Sequence, residues 1–220
     1  MKTMKTMKTI QALAIVVLFI GFTTSCDSDD DVTTPAATLE SKTISNLAAP
    51  QTGGQGQGAI GGPFTKFDFS TGLETTSDTE WDIAFRGLRI AVNGGVSTGT
   101  ADEPVRNGDA GVYVVRDAFS NVTTVNETIF TQDSSNGYAV PFSGDDAWYN
   151  YDSSNFIVST VPGRTLIFRT RDGKYAKVEI ISYYLDNPMP IVGGFSPDAS
   201  TPRYYTFNYV YNPNEGDTSF

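Results

Sequence analysis

The sequence lacks the side chains on which most enzymes depend. It contains no histidine, the commonest general base of enzymes, and its single cysteine, Cys26, lies near the amino terminus. One cysteine also excludes an internal disulfide. The adjacent acids Asp145 and Asp146 are typical of a turn, because the other oxygen ligands of a calcium site are not identifiable. We therefore expect a protein that is not an enzyme, with no catalytic residues and no metal site of this kind.

The sequence also lacks an apolar run long enough to stay in a membrane as a helix. The most apolar stretch, residues 10–22, covers about 13 residues, whereas a bilayer core needs roughly 20. Three lysines precede this stretch, and the small residues Thr23, Thr24 and Ser25 follow it. A basic start, an apolar centre and a small-residue end are typical of a signal peptide. We predict a cleaved leader over residues 1–25.

The only cysteine stands directly after the predicted leader, where a lipoprotein signal peptidase would cut. We therefore predict that Cys26 carries lipid; the alternative is an ordinary secretory peptide with a chance cysteine. Each buried methylene contributes about 0.8 kcal/mol, so two or three acyl chains hold a protein firmly where one would not. The polar residues that follow predict a lipidated flexible tether over residues 26–39.

Basic residues are scarce, with 15 lysines and arginines against 25 acids and a formal net charge of −10. Loss of three lysines with the leader leaves 12 basic residues and a formal charge of about −13. Phosphate recognition needs a basic face, so this balance disfavours binding of nucleic acid. Contact with a membrane is expected through the lipid anchor only.

The remaining chain, residues 40–220, shows the pattern of one all-β domain and no convincing helical periodicity. Trp81, Ile83 and Phe85 alternate with less apolar residues, which predicts a half-buried strand with a buried indole. Turn-forming Gly, Pro, Asn and Asp bound each of the other apolar segments. Further strands are predicted at residues 42–47, 64–69, 88–92, 111–115, 128–131, 138–142, 155–161, 164–171, 174–184 and 204–211.

The sharpest local signal is Asp172-Gly173 between two strand-like segments. This dipeptide favours a type I′ turn, in which both central residues have positive φ, and so predicts a β-hairpin. With a two-residue loop, Ile167 would face Val178 and Thr165 would face Ile180.

Several blocks of sequence follow one another in an informative order. They are Phe64-Thr-Lys-Phe-Asp-Phe-Ser-Thr-Gly72, Thr79-Glu-Trp-Asp-Ile-Ala-Phe-Arg86, the segment 90–95 that ends in Asn-Gly-Gly, Trp148, the segment 166–178, and Tyr204-Tyr-Thr-Phe-Asn-Tyr-Val-Tyr211. Together with the lipoprotein leader, these blocks resemble the HmuY-like haem-binding lipoproteins of Bacteroidota over residues 40–212. The resemblance implies a single domain of twisted, mostly antiparallel strands. It also implies haem binding at the cell surface and delivery to an outer-membrane TonB-dependent transporter.

Four acids lie within residues 27–31, directly after the predicted lipid site. In Bacteroidota lipoproteins, an acidic run at this place resembles the signal for the outer face of the outer membrane. The resemblance therefore implies a lipid-anchored protein of the outer membrane at the cell surface, with a plain spacer as the alternative use of the acids.

The possible axial ligands of a haem iron are limited. Iron is commonly held by His, Met, Cys or Tyr, and the absence of histidine excludes a two-histidine site. The resemblance places the ligand positions near Asn121 and near Asp152 or Ser153, and these side chains bind ferric haem poorly. The substitutes are Met189, the only methionine outside the leader, and Tyr149 and Tyr151, which lie beside the second position; ordinary packing is the alternative role of all three.

The sequence thus predicts a surface lipoprotein that binds haem or porphyrin for iron acquisition through a non-histidine site. The alternative is a surface interaction module that uses the same fold for a ligand other than haem.

Overall fold

Strands form all the regular secondary structure of the computed structural model, which describes residues 36–54, 56–194 and 196–220. The predicted leader, Cys26 and the acidic run lie outside the described residues. The all-β prediction is confirmed, because the described residues contain no helix and the strands pair antiparallel. Consequently, no described helix is long and apolar enough to cross a membrane.

The described residues form eleven strands, which build two main sheets and one separate hairpin. In chain order they are β1 (Glu40–Ala48), β2 (Thr65–Asp68), β3 (Leu73–Thr75), β4 (Ile83–Arg86), β5 (Arg89–Val92), β6 (Gly111–Val115), β7 (Tyr149–Asp152), β8 (Ile157–Thr160), β9 (Thr165–Arg169), β10 (Tyr175–Tyr184) and β11 (Pro202–Asn212). The larger sheet has the order β1-β11-β10-β9-β6, and the smaller has the order β3-β2-β4-β5. Among the described strands, β7 and β8 pair only with each other.

The two main sheets share one hydrophobic core, which is rich in aromatic residues. Phe67 of β2 meets Phe207 of β11 edge to face, with ring centroids 5.4 Å apart. Phe85 of β4 stacks on the same Phe207 ring at 5.7 Å. Such pairs contribute about 0.5 to 1.5 kcal/mol each beyond the burial of their area. Aromatic contacts between β2, β4 and β11 therefore join the smaller sheet to the larger one.

The predicted burial of the Trp81 indole is confirmed, but the alternation around it differs from the prediction. Ile83 and Phe85 belong to the main core, whereas Trp81 packs with Phe64 and Ala84 in a second apolar cluster. Trp81 precedes β4, so its side chain need not follow the alternation of that strand. All four residues of β4 are buried, and the predicted half-buried strand is therefore wrong.

The predicted hairpin joins β9 and β10, but its register differs by one residue. Ile167 pairs with Lys177, and Thr165 pairs with Glu179. The backbone N–H of Thr170 donates to the carbonyl of Lys174 at 2.8 Å, which closes a three-residue loop. Of the loop residues only Gly173 has positive φ, at 85°, so the two-residue type I′ turn is wrong. A three-residue loop with glycine in the left-handed conformation is the next common solution, and its extra residue shifts the pairing.

Two predicted strands are absent, and two observed strands were not predicted. Segment 128–131 makes only an isolated bridge between Thr131 and Val112. In segment 138–142 the Ala139 N–H donates to the carboxylate of Asp133 at 2.7 Å, so a side chain takes the place of a neighbouring strand. The additional strands are β3 and β7, which are short and largely solvent-exposed.

Candidate functional site

A cavity of about 510 Å³ opens beside the β7–β8 hairpin. Its walls come from this hairpin, the end of β10, the start of β11, the start of β5 and the glycine-rich segment that follows β1. The lining combines aromatic rings, aliphatic side chains, glycine backbone, amides and two arginines. The lining residues are Gln51, Gly53, Gly54, Gln57, Ile60, Leu88, Arg89, Tyr151, Phe156, Val158, Tyr183, Tyr184, Val192, Gly193, Gly194, Ser200, Pro202 and Arg203.

Two consecutive tyrosines of β10 form the inner wall of the cavity. A regular strand would direct Tyr183 and Tyr184 to opposite faces, but the pairing of β10 with β11 shifts register on both sides of Ser182. This irregularity leaves both tyrosines buried and both in the cavity lining. Burial raises the pKa of each hydroxyl, so both remain protonated at neutral pH. The Tyr184 hydroxyl also accepts a hydrogen bond from the Val158 N–H at 2.8 Å, which ties β10 to the hairpin.

The β7–β8 hairpin supplies two more aromatic rings. Tyr151 pairs with Val158 in the ladder, and both line the cavity. Phe156 lies in the turn between the two strands, with φ of 59°, and its ring lines the cavity as well. The Asp152 carboxylate stabilises this turn by accepting hydrogen bonds from the Asn155 amide and the Ser154 N–H, both at 2.8 Å. The Asn155 hydrogen bond holds the pKa of Asp152 below its usual range.

Glycine at position 193 allows the opposite wall to approach the hairpin. A Cβ atom on Gly193 would lie 1.8 Å from the carbonyl oxygen of Asn155, which no side chain can tolerate. Next to it, Val192 and Ser200 exchange hydrogen bonds: the Val192 N–H donates to the Ser200 hydroxyl at 3.1 Å, and the Ser200 N–H donates to the Val192 carbonyl at 2.9 Å. The close packing of Gly193 on the hairpin and the hydrogen bonds between Val192 and Ser200 therefore both fix this wall of the cavity.

Two half-buried arginines carry the only charges among the described lining residues. Arg203 donates from Nη1 to the Gln51 carbonyl at 2.9 Å and also hydrogen-bonds the Tyr183 side chain. The guanidinium carbon of Arg89 lies 3.4 Å from the centroid of the Phe142 ring. These contacts fix both arginines in place without neutralising them.

Of the three residues predicted as iron ligands, the structure brings only Tyr151 to the cavity. Its side chain is 47% exposed and lies in the lining. Tyr149, on the same strand, packs on Trp148 with centroids 4.7 Å apart, and burial raises its pKa while a hydrogen bond with Arg89 opposes the rise. Met189 is 84% exposed and does not belong to the lining. Ligation by any of the three stays a prediction.

Neither of the two ligand positions implied by the resemblance belongs to the described cavity lining. Asn121 is in the loop after β6, where its amide donates to the Asp117 carboxylate at 2.8 Å, and it does not line the cavity. Asp152 does not line the cavity either, and its carboxylate accepts hydrogen bonds within the β7–β8 turn.

The other side chains that could carry chemistry make structural contacts within the fold. Asp146 forms an exposed ion pair with Arg116 at 2.8 Å. The segment Gly95-Val96-Ser97-Thr98-Gly99 has the spacing of a nucleophile elbow, but no helix follows it in the described residues, and the Ser97 hydroxyl donates to Glu103. The described residues contain no group of three or more His, Cys, Asp or Glu that could hold a metal ion.

The sequence signals for the cavity were weak but present. Tyr183 and Tyr184 stand as a pair inside a long strand, which is unusual where one face is buried. The two lining arginines were not identified from the sequence, because neither belongs to a motif. They come together only in the folded protein, where β5 and β11, from different sheets, both contribute to the cavity lining.

Comparison with known proteins gives the family of the chain. The model of the family described as HmuY protein matches residues 62–209. Among solved structures, the apo HmuY analog of Tannerella forsythia is similar over 82% of this chain and 100% of its own, with 13% identity and a TM-score of 0.50. A protein of Bacteroides vulgatus named as HmuY-like and heme-binding matches over 80% and 93%, with 16% identity and a TM-score of 0.43. A protein of Bacteroides fragilis named as a lipoprotein matches over 80% and 90%, with 17% identity and a TM-score of 0.44.

No curated protein matches the sequence significantly. The structural likeness to the Tannerella protein shows the fold, since 13% identity carries no functional detail. The family model, in contrast, covers more than half of the residues, from just before β2 to near the end of β11. The chain therefore belongs to the HmuY family.

Proposed function

We propose that the protein binds haem or an iron-free porphyrin in the cavity beside the β7–β8 hairpin. The observation that carries this proposal is the convergence of four aromatic side chains, Tyr151, Phe156, Tyr183 and Tyr184, on one cavity of about 510 Å³. Sites for small molecules and cofactors have volumes of roughly 300 to 1,000 Å³ and are lined mainly by apolar and aromatic groups. Within this mixed lining, the four aromatic residues offer faces on which a flat, largely apolar macrocycle can pack.

In this proposal, burial of the macrocycle supplies most of the affinity. Each Å² of apolar surface removed from water contributes about 25 cal/mol before the costs of association are subtracted. No histidine is present to add a strong bond to iron. Iron-free porphyrin should therefore bind almost as tightly as haem.

Tyr151 is the proposed protein ligand if the iron is ligated at all. It is the one candidate that lines the cavity, and a tyrosine oxygen is a known haem ligand. Met189 lies outside the lining, so its ligation would need a movement of segment 186–190. A five-coordinate or solvent-ligated iron is the remaining arrangement.

We further propose that the protein works as a lipid-anchored surface protein of the outer membrane. The predicted leader and Cys26 support the anchor, and the acidic residues 27–31 support the outer face. Binding at that surface would serve iron acquisition, with a TonB-dependent transporter of the outer membrane as the receiving partner. Cleavage by added protease on intact cells tests the location.

A titration of haem and of iron-free protoporphyrin tests the binding site. The chain from Asp27 onward contains the whole compact unit of residues 36–220 and lacks only the leader and the lipid site. Val192→Trp should fill the cavity with an indole and weaken both ligands at least about tenfold. Val105→Trp is the matched control, because Val105 is 72% exposed and lies outside the lining. Circular dichroism of both variants confirms that they fold.

The iron ligand is tested by the visible spectrum of the haem complex. Tyr151→Phe should change this spectrum if the tyrosine binds iron, whereas Tyr113→Phe, on β6 and outside the lining, should leave it unchanged. A spectrum that changes only in Met189→Ala would assign the iron to methionine instead. If neither haem nor porphyrin binds, the proposal fails, and the fold would serve as an interaction module for another ligand.

A further inference from the structure

The charge of the cavity lining is opposite to the charge of the protein. The chain has 25 acids and 15 basic residues, yet its described lining contains Arg89 and Arg203 and no aspartate or glutamate. Both arginines are half-buried. The wall thus concentrates positive charge beside the aromatic rings of an acidic protein.

The described partners of these two arginines are neutral. Arg203 bonds the Gln51 carbonyl and the Tyr183 side chain, and Arg89 stacks on Phe142 and bonds Tyr149. No described carboxylate forms an ion pair with either one. A partly desolvated charge without a counter-charge is unfavourable, so both positions favour an anion supplied by a ligand.

Other arginines of the same protein show the contrast. Arg106 bonds two buried carboxylates, each at 2.8 Å. Arg171 forms ion pairs with three acids at 2.7 to 3.2 Å. Where these arginines stabilise the fold, the chain supplies their counter-charges itself. At the cavity, no described carboxylate supplies a counter-charge to Arg89 or Arg203.

We propose that the cavity takes a ligand that carries carboxylates next to a flat apolar face, and that Arg89 and Arg203 bind those carboxylates. This inference rests on the proposed function, and for a porphyrin the carboxylates are its two propionates. A guanidinium matches a carboxylate with two parallel hydrogen bonds, and charge-assisted bonds of this kind are the strong ones. The neutral contacts of each arginine hold its guanidinium ready for this geometry.

The experiment compares protoporphyrin with its dimethyl ester, which has the same macrocycle and no charge. The native chain from Asp27 onward should bind the diacid about tenfold to a hundredfold more tightly than the ester, the range for hydrogen bonds to charged groups. Arg89→Gln and Arg203→Gln should each weaken the diacid and leave the ester unchanged. Unchanged ester binding also shows that each variant keeps its cavity.

Two further variants control for charge and for folding. Arg116→Gln removes an exposed arginine outside the lining, which pairs with Asp146, and it should alter neither affinity. Arg203→Lys keeps the charge but loses the planar fork, so it should restore part of the diacid affinity. Equal binding of diacid and ester by the native protein would overturn the inference while leaving porphyrin binding intact.

A second pair of probes separates this inference from the proposed function. If no porphyrin binds, the test uses 1-anilinonaphthalene-8-sulfonate and N-phenyl-1-naphthylamine, which share an aromatic frame and differ by one sulfonate. Tighter binding of the sulfonate, lost in Arg203→Gln, would support an anion site that takes a smaller ligand than porphyrin. Equal binding of the two probes, or no binding of either, would overturn the inference.

Discussion

Replacing Arg106 by methionine should destabilise the protein far more than replacing a surface arginine. The Arg106 side chain is 1% exposed, and its two Nη atoms lie 2.8 Å from the carboxylates of Glu103 and Asp133, which are equally buried. Methionine retains the apolar stem and leaves two buried carboxylates without a counter-charge. Removing one partner of a buried ionic cluster costs about 3 to 5 kcal/mol.

The effect of this substitution should depend on pH in a defined direction. Burial already raises the pKa of Asp133, and loss of the guanidinium raises it further. In Glu103, burial is outweighed by hydrogen bonds from Thr100 and Thr98, which hold its pKa well below the usual range; that pKa too should rise in the variant. A folded state with raised carboxyl pKa values binds more protons than the unfolded state, so the stability of the variant falls as pH rises. The loss relative to the native protein should therefore be larger at pH 7.5 than at pH 5.

Urea unfolding measures both effects on the chain from Asp27 onward, with the fluorescence of Trp81 and Trp148 as the signal. Arg116→Met is the matched control, since the Arg116 and Asp146 side chains are 54% and 52% exposed, and such pairs contribute at most about 1 kcal/mol. Equal losses in the two variants would refute the reasoning. A loss that grows towards pH 5 would show that the carboxylates are stabilised by groups other than Arg106.

Three further predictions concern the core, the hairpin and the anchor. Trp81→Ala should lower the free energy of unfolding by about 3 to 5 kcal/mol in urea, because the indole is fully buried; a loss below about 1 kcal/mol would contradict its packing. Gly173→Val should cost about 1 to 3 kcal/mol in the same assay, because φ at this position is 85°, and an unchanged stability would show that the turn relaxes freely. Cys26→Ala should release the protein from the membrane fraction of cells, and fatty-acid labelling equal to that of the native chain would refute lipidation at this residue.

The sequence was most informative where an apolar segment is bounded on both sides by turn-forming residues. The segment 111–115 was predicted with its observed bounds, and 174–184 differs from β10 by one residue. Each of these strands lies between turn-forming residues, and its run of β-branched and aromatic residues predicts a strand. The hairpin at Gly173 was recognised by its turn residues, but the loop length that sets the register is a property of the backbone.

Exposed and irregular segments could not be assigned correctly from the sequence pattern. In β7 Tyr149 is half-buried and the next three residues are exposed, so apolar alternation could not identify the strand. Conversely, the segment 138–142 has a strand-like composition, yet the carboxylate of Asp133 binds its backbone N–H at Ala139. A side chain six residues away thus accepts a hydrogen bond from a backbone N–H that a neighbouring strand would otherwise have used.

The candidate site depends even more on long-range placement. Tyr151 was named from the sequence, and it does line the cavity, while Tyr183 and Tyr184 were assigned only to a strand. The irregular pairing around Ser182, which buries both tyrosines, depends on how β11 meets β10. The arginines Arg89 and Arg203 come from strands of different sheets. No local sequence pattern could have shown that these residues line the same cavity.

The cavity wall is attached to the core by contacts that involve none of the three predicted iron ligands. The Tyr205 hydroxyl donates to the Gly87 carbonyl at 2.8 Å, and the Gly87 N–H donates to the Ala49 carbonyl at 2.9 Å. A Cβ atom on Gly87 would lie 2.0 Å from the Gln51 amide oxygen, so the glycine lets the segment after β1 lie directly on the β4–β5 turn.

These contacts connect the larger sheet, the smaller sheet and the glycine-rich wall of the cavity in one chain of bonds. Because Tyr205 is fully buried between aromatic neighbours, the wall position is set when the core forms. A wall that is ordered before the ligand arrives loses little conformational entropy on binding, and this lowers the cost of association. In the proposed function, such a wall holds the flat macrocycle by shape and burial, and the cavity forms without any histidine, which this sequence lacks.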